Sequence, residues 1–137
     1  MNRRALDAID AGDPLKRLRV QEIALRLVDD AWEDIELLKG DAGTVKVASQ
    51  LYEAIGSIAA NIAEGYSKSS GRDRARIFEI ALGSSREAMV WYKASVPVLG
   101  YERVIPKYSV LEEIRRMLLA IIPRERDRVI RPRKPQP

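Results

Sequence analysis

Four basic side chains, Lys68, Arg72, Arg74 and Arg76, fall within nine residues and are opposed only by Asp73. A second group, Arg124, Arg126, Arg128, Arg131, Arg133 and Lys134, crowds the last fifteen residues against Glu125 and Asp127. Guanidinium and ammonium groups at such density bind phosphate oxygens, and their chemistry is non-covalent recognition of an anion. The first cluster opens a helix, where unpaired N–H groups and the helix dipole already favour negative charge. Its alternative reading is a solvated loop. The second group is broken by Pro132, Pro135 and Pro137, which keep the segment extended. It would bind nucleic acid by counterion release, with little sequence discrimination and a steep salt dependence. Its alternative reading is a solubilising end. Neither cluster is interleaved with aromatic residues, so base stacking is not implied. No Gly-x-x-x-x-Gly-Lys sequence indicates a nucleotide-binding loop.

The charge is unevenly placed. The 137 residues carry a net +4, and residues 123–137 alone account for all of it, leaving 18 basic and 18 acidic residues in 1–122. The chain has no histidine and no cysteine. A thiolate nucleophile, an imidazole base, a disulfide and the usual zinc or haem ligand sets are therefore excluded. So is the Glu-x-x-His di-iron site of helical bundles. The expectation is a protein with no cofactor, no metal and no enzymatic activity. No apolar run approaches the roughly 18 residues of a membrane span, and the amino terminus has no signal-peptide core. A cytoplasmic protein without a membrane partner is expected.

The elements that must position these charges read as helical almost throughout. Residues 1–13 are polar and read as a loosely ordered arm. Pro14 suits a first helical turn, and the spacing of Val20, Ala24, Leu27, Ala31, Ile35 and Leu38 predicts a first helix to about residue 38, stopped by Gly40 in the left-handed conformation. A second helix, capped at Thr44 and ending at Glu64-Gly65, carries Ala48, Leu51, Ile55, Ile58 and Ile62. Ser69 or Ser70 caps a third, with Asp73 in capping-box register. Its seam runs Ala75, Phe78, Leu82, Ser85, Met89, Tyr92, Val96, Leu99, and Pro97 ends or kinks it. A fourth starts near Pro106 with Leu111, Ile114, Leu118 and Ile121 inward, and Pro123 interrupts it. The predicted fold is an all-α, antiparallel up-down-up-down four-helix bundle over 14–122, followed by a basic Pro/Arg-rich tail over 123–137.

Folding the second helix back on the third about Ser69 puts Gly56 level with Gly83. Two mid-helix glycines at one height predict a close helix crossing. Ser57, Asn61 and Glu64 form a polar stripe, expected to pair with the third helix, with Glu64 meeting Arg72 or Arg74. Surplus apolar rows, Ile77, Ile80, Ala88 and Trp91 on the third helix and Leu25, Val28 and Trp32 on the first, predict subunit contacts.

Gln50-Leu51-Tyr52 and Ser57-Ile58-Ala59-Ala60-Asn61-Ile62-Ala63-Glu64-Gly65-Tyr66 resemble the signature of proteins related to the 23S rRNA intervening-sequence protein. Ile80-Ala81-Leu82-Gly83-Ser84-Ser85-Arg86-Glu87 resembles that family's second block, and Leu99-Gly100-Tyr101 the entry to its last helix. The likeness spans about residues 45–122; the first helix departs from it, with Arg19-Val20-Gln21-Glu22 in place of a Trp-bearing opening. The resemblance implies a four-helix bundle assembled as a ring, with a homopentamer favoured, and no enzymatic class. It implies a nucleic-acid partner, RNA first, and the charge clusters make Lys68, Arg72, Arg74, Arg76 and the tail residues Arg124, Arg126, Arg128, Arg131, Arg133 and Lys134 the residues expected to touch it. The alternative it implies is a protein–protein scaffold, such as the accessory ring subunit of a reverse transcriptase in a diversity-generating retroelement.

Overall fold

The computed structural model describes residues 2–129, and within them the chain is helical with no strand. The elements are α1 (Arg3–Ile9), a 3₁₀ turn (Pro14–Arg17), α2 (Arg19–Asp30), α3 (Trp32–Lys39), α4 (Val45–Tyr66), α5 (Gly71–Ala94), α6 (Val96–Leu99) and α7 (Tyr101–Arg126). The long helices pack in a closed cycle: α2 on α4, α4 on α5, α5 on α7, and α7 back on α2.

Apolar periodicity explains the core. All six seam positions of the first predicted helix and all five of the second are buried. The first helix, however, is two. Its hydrogen-bond ladder loosens at Ala31, yet the Ala31 N–H still donates to the Leu27 carbonyl and the Ile35 N–H to the Ala31 carbonyl. The chain therefore jogs there without turning. Pro14 opens the short 3₁₀ turn, with the Asp13 carboxylate accepting from the Leu15 N–H at 3.0 Å. Residues 3–9, expected to be loose, form α1, whose Asn2 cap accepts from the Ala5 N–H. No residue of α1 is buried, and an Arg3–Asp29 ion pair of 2.6 Å holds it to α2.

Several terminators act differently from expectation. Gly40 keeps a right-handed φ of −75°. Thr44 does not cap α4 with its side chain; its hydroxyl donates to the Leu38 carbonyl at 2.8 Å and closes the end of α3. Ser70 caps α5 as predicted, accepting from the Asp73 N–H at 3.2 Å. Pro97 has no N–H for the Lys93 carbonyl, and the ladder breaks at Ser95. Gly100 then takes φ 78° and ψ 159°, a region open essentially to glycine alone, and reverses the chain into α7. That helix starts at Tyr101, five residues before Pro106, and runs through Pro123 to Arg126. Both prolines are on the exposed face, so the carbonyls they leave unpaired can meet water. The boundary drawn at residue 122 therefore moves four residues into the predicted tail.

The predicted close crossing lies elsewhere. A Cβ on Gly56 or Gly83 would meet nothing within 4 Å. One residue further along each helix, Ser57 Oγ and Ser84 Oγ are 2.8 Å apart and form the contact. The glycines that packing requires are Gly65, where a Cβ would lie 2.8 Å from the Phe78 ring, and Gly71, where it would lie 2.0 Å from the Glu125 carbonyl oxygen.

Among the described residues, one charge is fully buried. Asp34 on α3 accepts from the Tyr92 hydroxyl (2.8 Å), Lys107 Nζ (3.0 Å) and Arg103 Nη1 (3.2 Å), joining α3 to α5 and α7. Burial, and next the charge of Asp34, push the Tyr92 hydroxyl far above its ordinary pKa, so it remains a neutral donor. The carboxylate thus has three donors, as a buried carboxylate requires.

Candidate nucleic-acid interface

The amino end of α5 and the carboxyl end of α7 meet at Gly71. Without a side chain there, the backbone at Glu125 of α7 and at Arg128 just beyond it lies directly against the first turn of α5. This approach carries Arg126 of α7 beside Arg72 and Arg76 of α5. The three guanidinium-bearing side chains line one shallow cleft together with Asp73 and Glu79. Arg72 and Arg76 share the outer face of α5 because they are four residues apart.

The ion pairs within the cleft are exposed and weak. Arg126 Nη2 lies 2.5 Å from Glu79, and Arg76 Nε lies 3.9 Å from Asp73, with side chains half exposed or more. Such pairs exchange readily for other anions, being worth about 0–1 kcal/mol. Arg72 is exposed and has no ion-pair partner among the described residues. The cleft is therefore a set of three guanidinium donors with two competing carboxylates, and a phosphate can displace the latter.

Arg74 does not belong to it. Its side chain is only 15% exposed, stacks 5.0 Å from the Tyr66 ring centroid, and donates from Nε to the Lys68 carbonyl at 3.0 Å. Nη1 faces Glu125 Oε2 at 3.8 Å, too far for a hydrogen bond, and that buried oxygen has no hydrogen-bond partner among the described residues. Arg74 thus ties the 67–70 loop to the end of α7, a positioning role, and is withdrawn from phosphate contact. Its place was legible: Gly71, Arg74, Ala75 and Phe78 share the inward face of α5.

Lys68 is paired with Glu64 at 3.8 Å, so Glu64 meets neither Arg72 nor Arg74. Asn61 donates to the Ser57 carbonyl and hydroxyl, both at 2.8 Å, and the polar stripe satisfies itself within α4 and against Ser84. Arg124 is exposed on the last turn of α7, and Arg128 pairs with Glu125 at 3.4 Å. Arg131, Arg133 and Lys134 lie outside the described residues. Glu79 was not anticipated as the counter-charge of Arg126, because the two are 47 residues apart and meet only through α7 continuing past Pro123.

Among the described residues, no group of three or more acidic side chains is arranged to hold a metal ion, and no helix is long and apolar enough to cross a membrane. The apolar surplus is only partly external. Of the expected rows, Ile77 and Ala88 are buried and Val28 and Trp91 are half-buried against the core, whereas Leu25, Trp32 and Ile80 are exposed; Val90, outside those rows, is exposed as well, and Trp32 makes an edge contact with half-exposed Tyr52.

The family model described as 23S rRNA-intervening sequence protein matches residues 16–120. Among solved structures, the chain resembles the crystal structure of a protein with unknown function from the S23 ribosomal protein family of Bacteroides thetaiotaomicron VPI-5482. The TM-score is 0.69 at 22% identity, over 75% of this chain and 97% of that one, which is a likeness of fold. No curated protein matches the chain.

Proposed function

Because the chain belongs to the 23S rRNA-intervening sequence protein family, we propose that it is a non-enzymatic nucleic-acid-binding bundle, with structured RNA as its first partner. On this reading the α2/α3 segment, α4, α5 and α7 are the members of an antiparallel up-down-up-down four-helix bundle. The cyclic packing of these helices supports that assignment. The observation that carries the functional reading is the convergence of Arg72, Arg76 and Arg126 from two helices onto one cleft. Three such contacts hold a backbone by charge and geometry while leaving base identity unread. Cytoplasmic residence accompanies the proposal.

Fluorescence anisotropy with a structured RNA, titrated across a salt series, tests it. Affinity should fall steeply with salt. Replacing Arg72, Arg76 and Arg126 together by alanine should flatten the log–log salt slope by about 2 to 3, since each phosphate contact contributes roughly 0.7–0.9. Equal slopes for the two proteins would remove the cleft from the interface.

Self-assembly is the second part of the proposal, with a pentameric ring favoured. The half-exposed Trp32–Tyr52 pair and exposed Leu25, Ile80 and Val90 support it, as large apolar side chains outside a core. Sedimentation equilibrium should return a multiple of the 15.5 kDa chain mass; a single-chain mass at micromolar concentration would sink this part alone. A scaffold that serves a reverse transcriptase is the other reading. The apolar groove along Val96, Tyr101, Ile105 and Tyr108 favours it, with Tyr101 and Ile105 mostly exposed.

A further inference from the structure

We infer that the groove where α5, α6 and α7 meet receives the Pro132–Pro135 segment from the tail of a second copy of this chain. The groove has a volume of about 360 Å³. Val96, Tyr101, Val104, Ile105 and Tyr108 line it, and Tyr101 and Ile105 are 68% and 61% exposed. The charges at its edge are already matched within the chain. Lys93 lies over the Tyr108 ring at 5.2 Å, and Glu112 is held by Arg115 and Arg116. An occupant chosen by charge finds little here, whereas one that packs on tyrosine rings finds most of the lining. Proline in an extended segment is such an occupant, since polyproline II helices dock on aromatic-lined grooves.

Spacing selects the tail. Tyr101 and Tyr108 are seven residues apart on α7, two helical turns, which sets them on one face at a rise of about 10.5 Å. Pro132 and Pro135 are three residues apart, one turn of polyproline II, which sets them on one face at about 9 Å. No other two prolines of the chain have this spacing. One proline can therefore cover each ring.

Reach decides which chain supplies the segment. α7 carries its carboxyl end away from the groove, rising about 27 Å between Tyr108 and Arg126. Beyond Arg126 the chain turns and stays at that end. The Arg128 N–H donates to the Glu125 carbonyl, and the Arg128 carbonyl lies against Gly71. From Val129 to Pro135 is six residues, which span at most about 22 Å fully extended. A tail falls short of its own groove and meets that of a neighbour. Tail and groove are different surfaces at opposite ends of α7, so the contact is head-to-tail, the kind that can close a ring. This joint rests on the self-assembly reading proposed above and supplies its contact.

The test is fluorescence anisotropy of a labelled peptide of residues 129–137, titrated with the full chain carrying Pro132→Ala and Pro135→Ala, whose own tail no longer competes. The peptide should bind. Raising the salt, or replacing its three basic residues by glutamine, should change the affinity little. Tyr101→Ser, at a position exposed enough to leave the fold intact, should weaken binding about tenfold or more, the loss of an aromatic anchor. A peptide with both prolines replaced by alanine should lose affinity to a similar degree. Binding that salt abolishes, or that Tyr101→Ser leaves unchanged, would overturn the joint. Sedimentation equilibrium of the unaltered chain separates its failure from that of self-assembly. A single-chain mass would overturn both together. An assembled protein whose groove leaves the peptide unbound would overturn the joint alone and give the groove to another partner.

Discussion

Asp34→Ala should cost about 3–5 kcal/mol of stability, the range found when one partner of a buried, hydrogen-bonded charge cluster is deleted. The carboxylate is wholly enclosed and receives three donors, from Tyr92, Arg103 and Lys107. Removing it leaves the Tyr92 hydroxyl, itself fully buried, with no acceptor in place. An orphaned buried hydroxyl alone costs about 1–3 kcal/mol. Arg103 and Lys107 retain partial access to solvent and can recover some hydration, which keeps the loss from growing larger. For a chain of this length the thermal midpoint should drop by roughly 10 °C or more. Urea denaturation of the single variants and of Asp34→Ala with Tyr92→Phe separates the contributions, because the double variant removes the orphaned hydroxyl as well. If Asp34→Ala lost less than about 1 kcal/mol, the cluster would not be holding α3 to α5 and α7.

Gly71→Ala should be the second most damaging change, and it should act on function as well as stability. The added Cβ would lie 2.0 Å from the Glu125 carbonyl oxygen and 2.6 Å from that of Arg128. Both are backbone atoms, so the end of α7 must move as a body. Overpacking of this kind costs about 1–3 kcal/mol. The displacement also carries Arg126 away from Arg72 and Arg76, so the variant should bind RNA more weakly even at temperatures where it is folded. Gly83→Ala is the control, since its Cβ meets nothing within 4 Å and alanine gains about 0.5–1 kcal/mol over glycine in a helix. Denaturation midpoints and anisotropy on the two variants decide the matter. If Gly71→Ala were as stable as Gly83→Ala and bound RNA equally well, the close approach of α5 and α7 would not organise the cleft.

The legibility of the chain varied with the physics behind each feature. The seam of α4 was readable because alternating spacings of three and four leave one inward solution for Ala48, Leu51, Ile55, Ile58 and Ile62. Asp34 was equally readable in principle, since Leu27, Ala31, Asp34 and Leu38 fall on one face, and a charge in an apolar stripe announces a buried partner. The Gly56–Gly83 crossing failed in rotation and not in height. Counting from the turn placed the two helices at the right level, but only tertiary packing turns Ser57 and Ser84 inward and leaves the glycines outside. The start of α7 was misplaced because a proline reads as a boundary, although on an exposed flank its missing hydrogen bond is replaced by water. Of the cleft, Arg72 and Arg76 were visible as an i, i+4 pair. Arg126 was expected in an extended tail, and its place in the cleft depends on the helix passing Pro123, which no local pattern specifies.

The Asp34 cluster also sets a schedule for synthesis. The carboxylate lies in α3, but its acceptor capacity is filled by Tyr92, 58 residues later, and then by Arg103 and Lys107, 69 and 73 residues later. At about 5–20 residues per second, a nascent chain carries this aspartate for roughly 4 to 15 s before both cations have even been polymerised. Until then the apolar faces of α2 to α5 can gather, but only around a carboxylate that must stay wet. The core therefore closes late, once α7 has emerged from the ribosome to dry it.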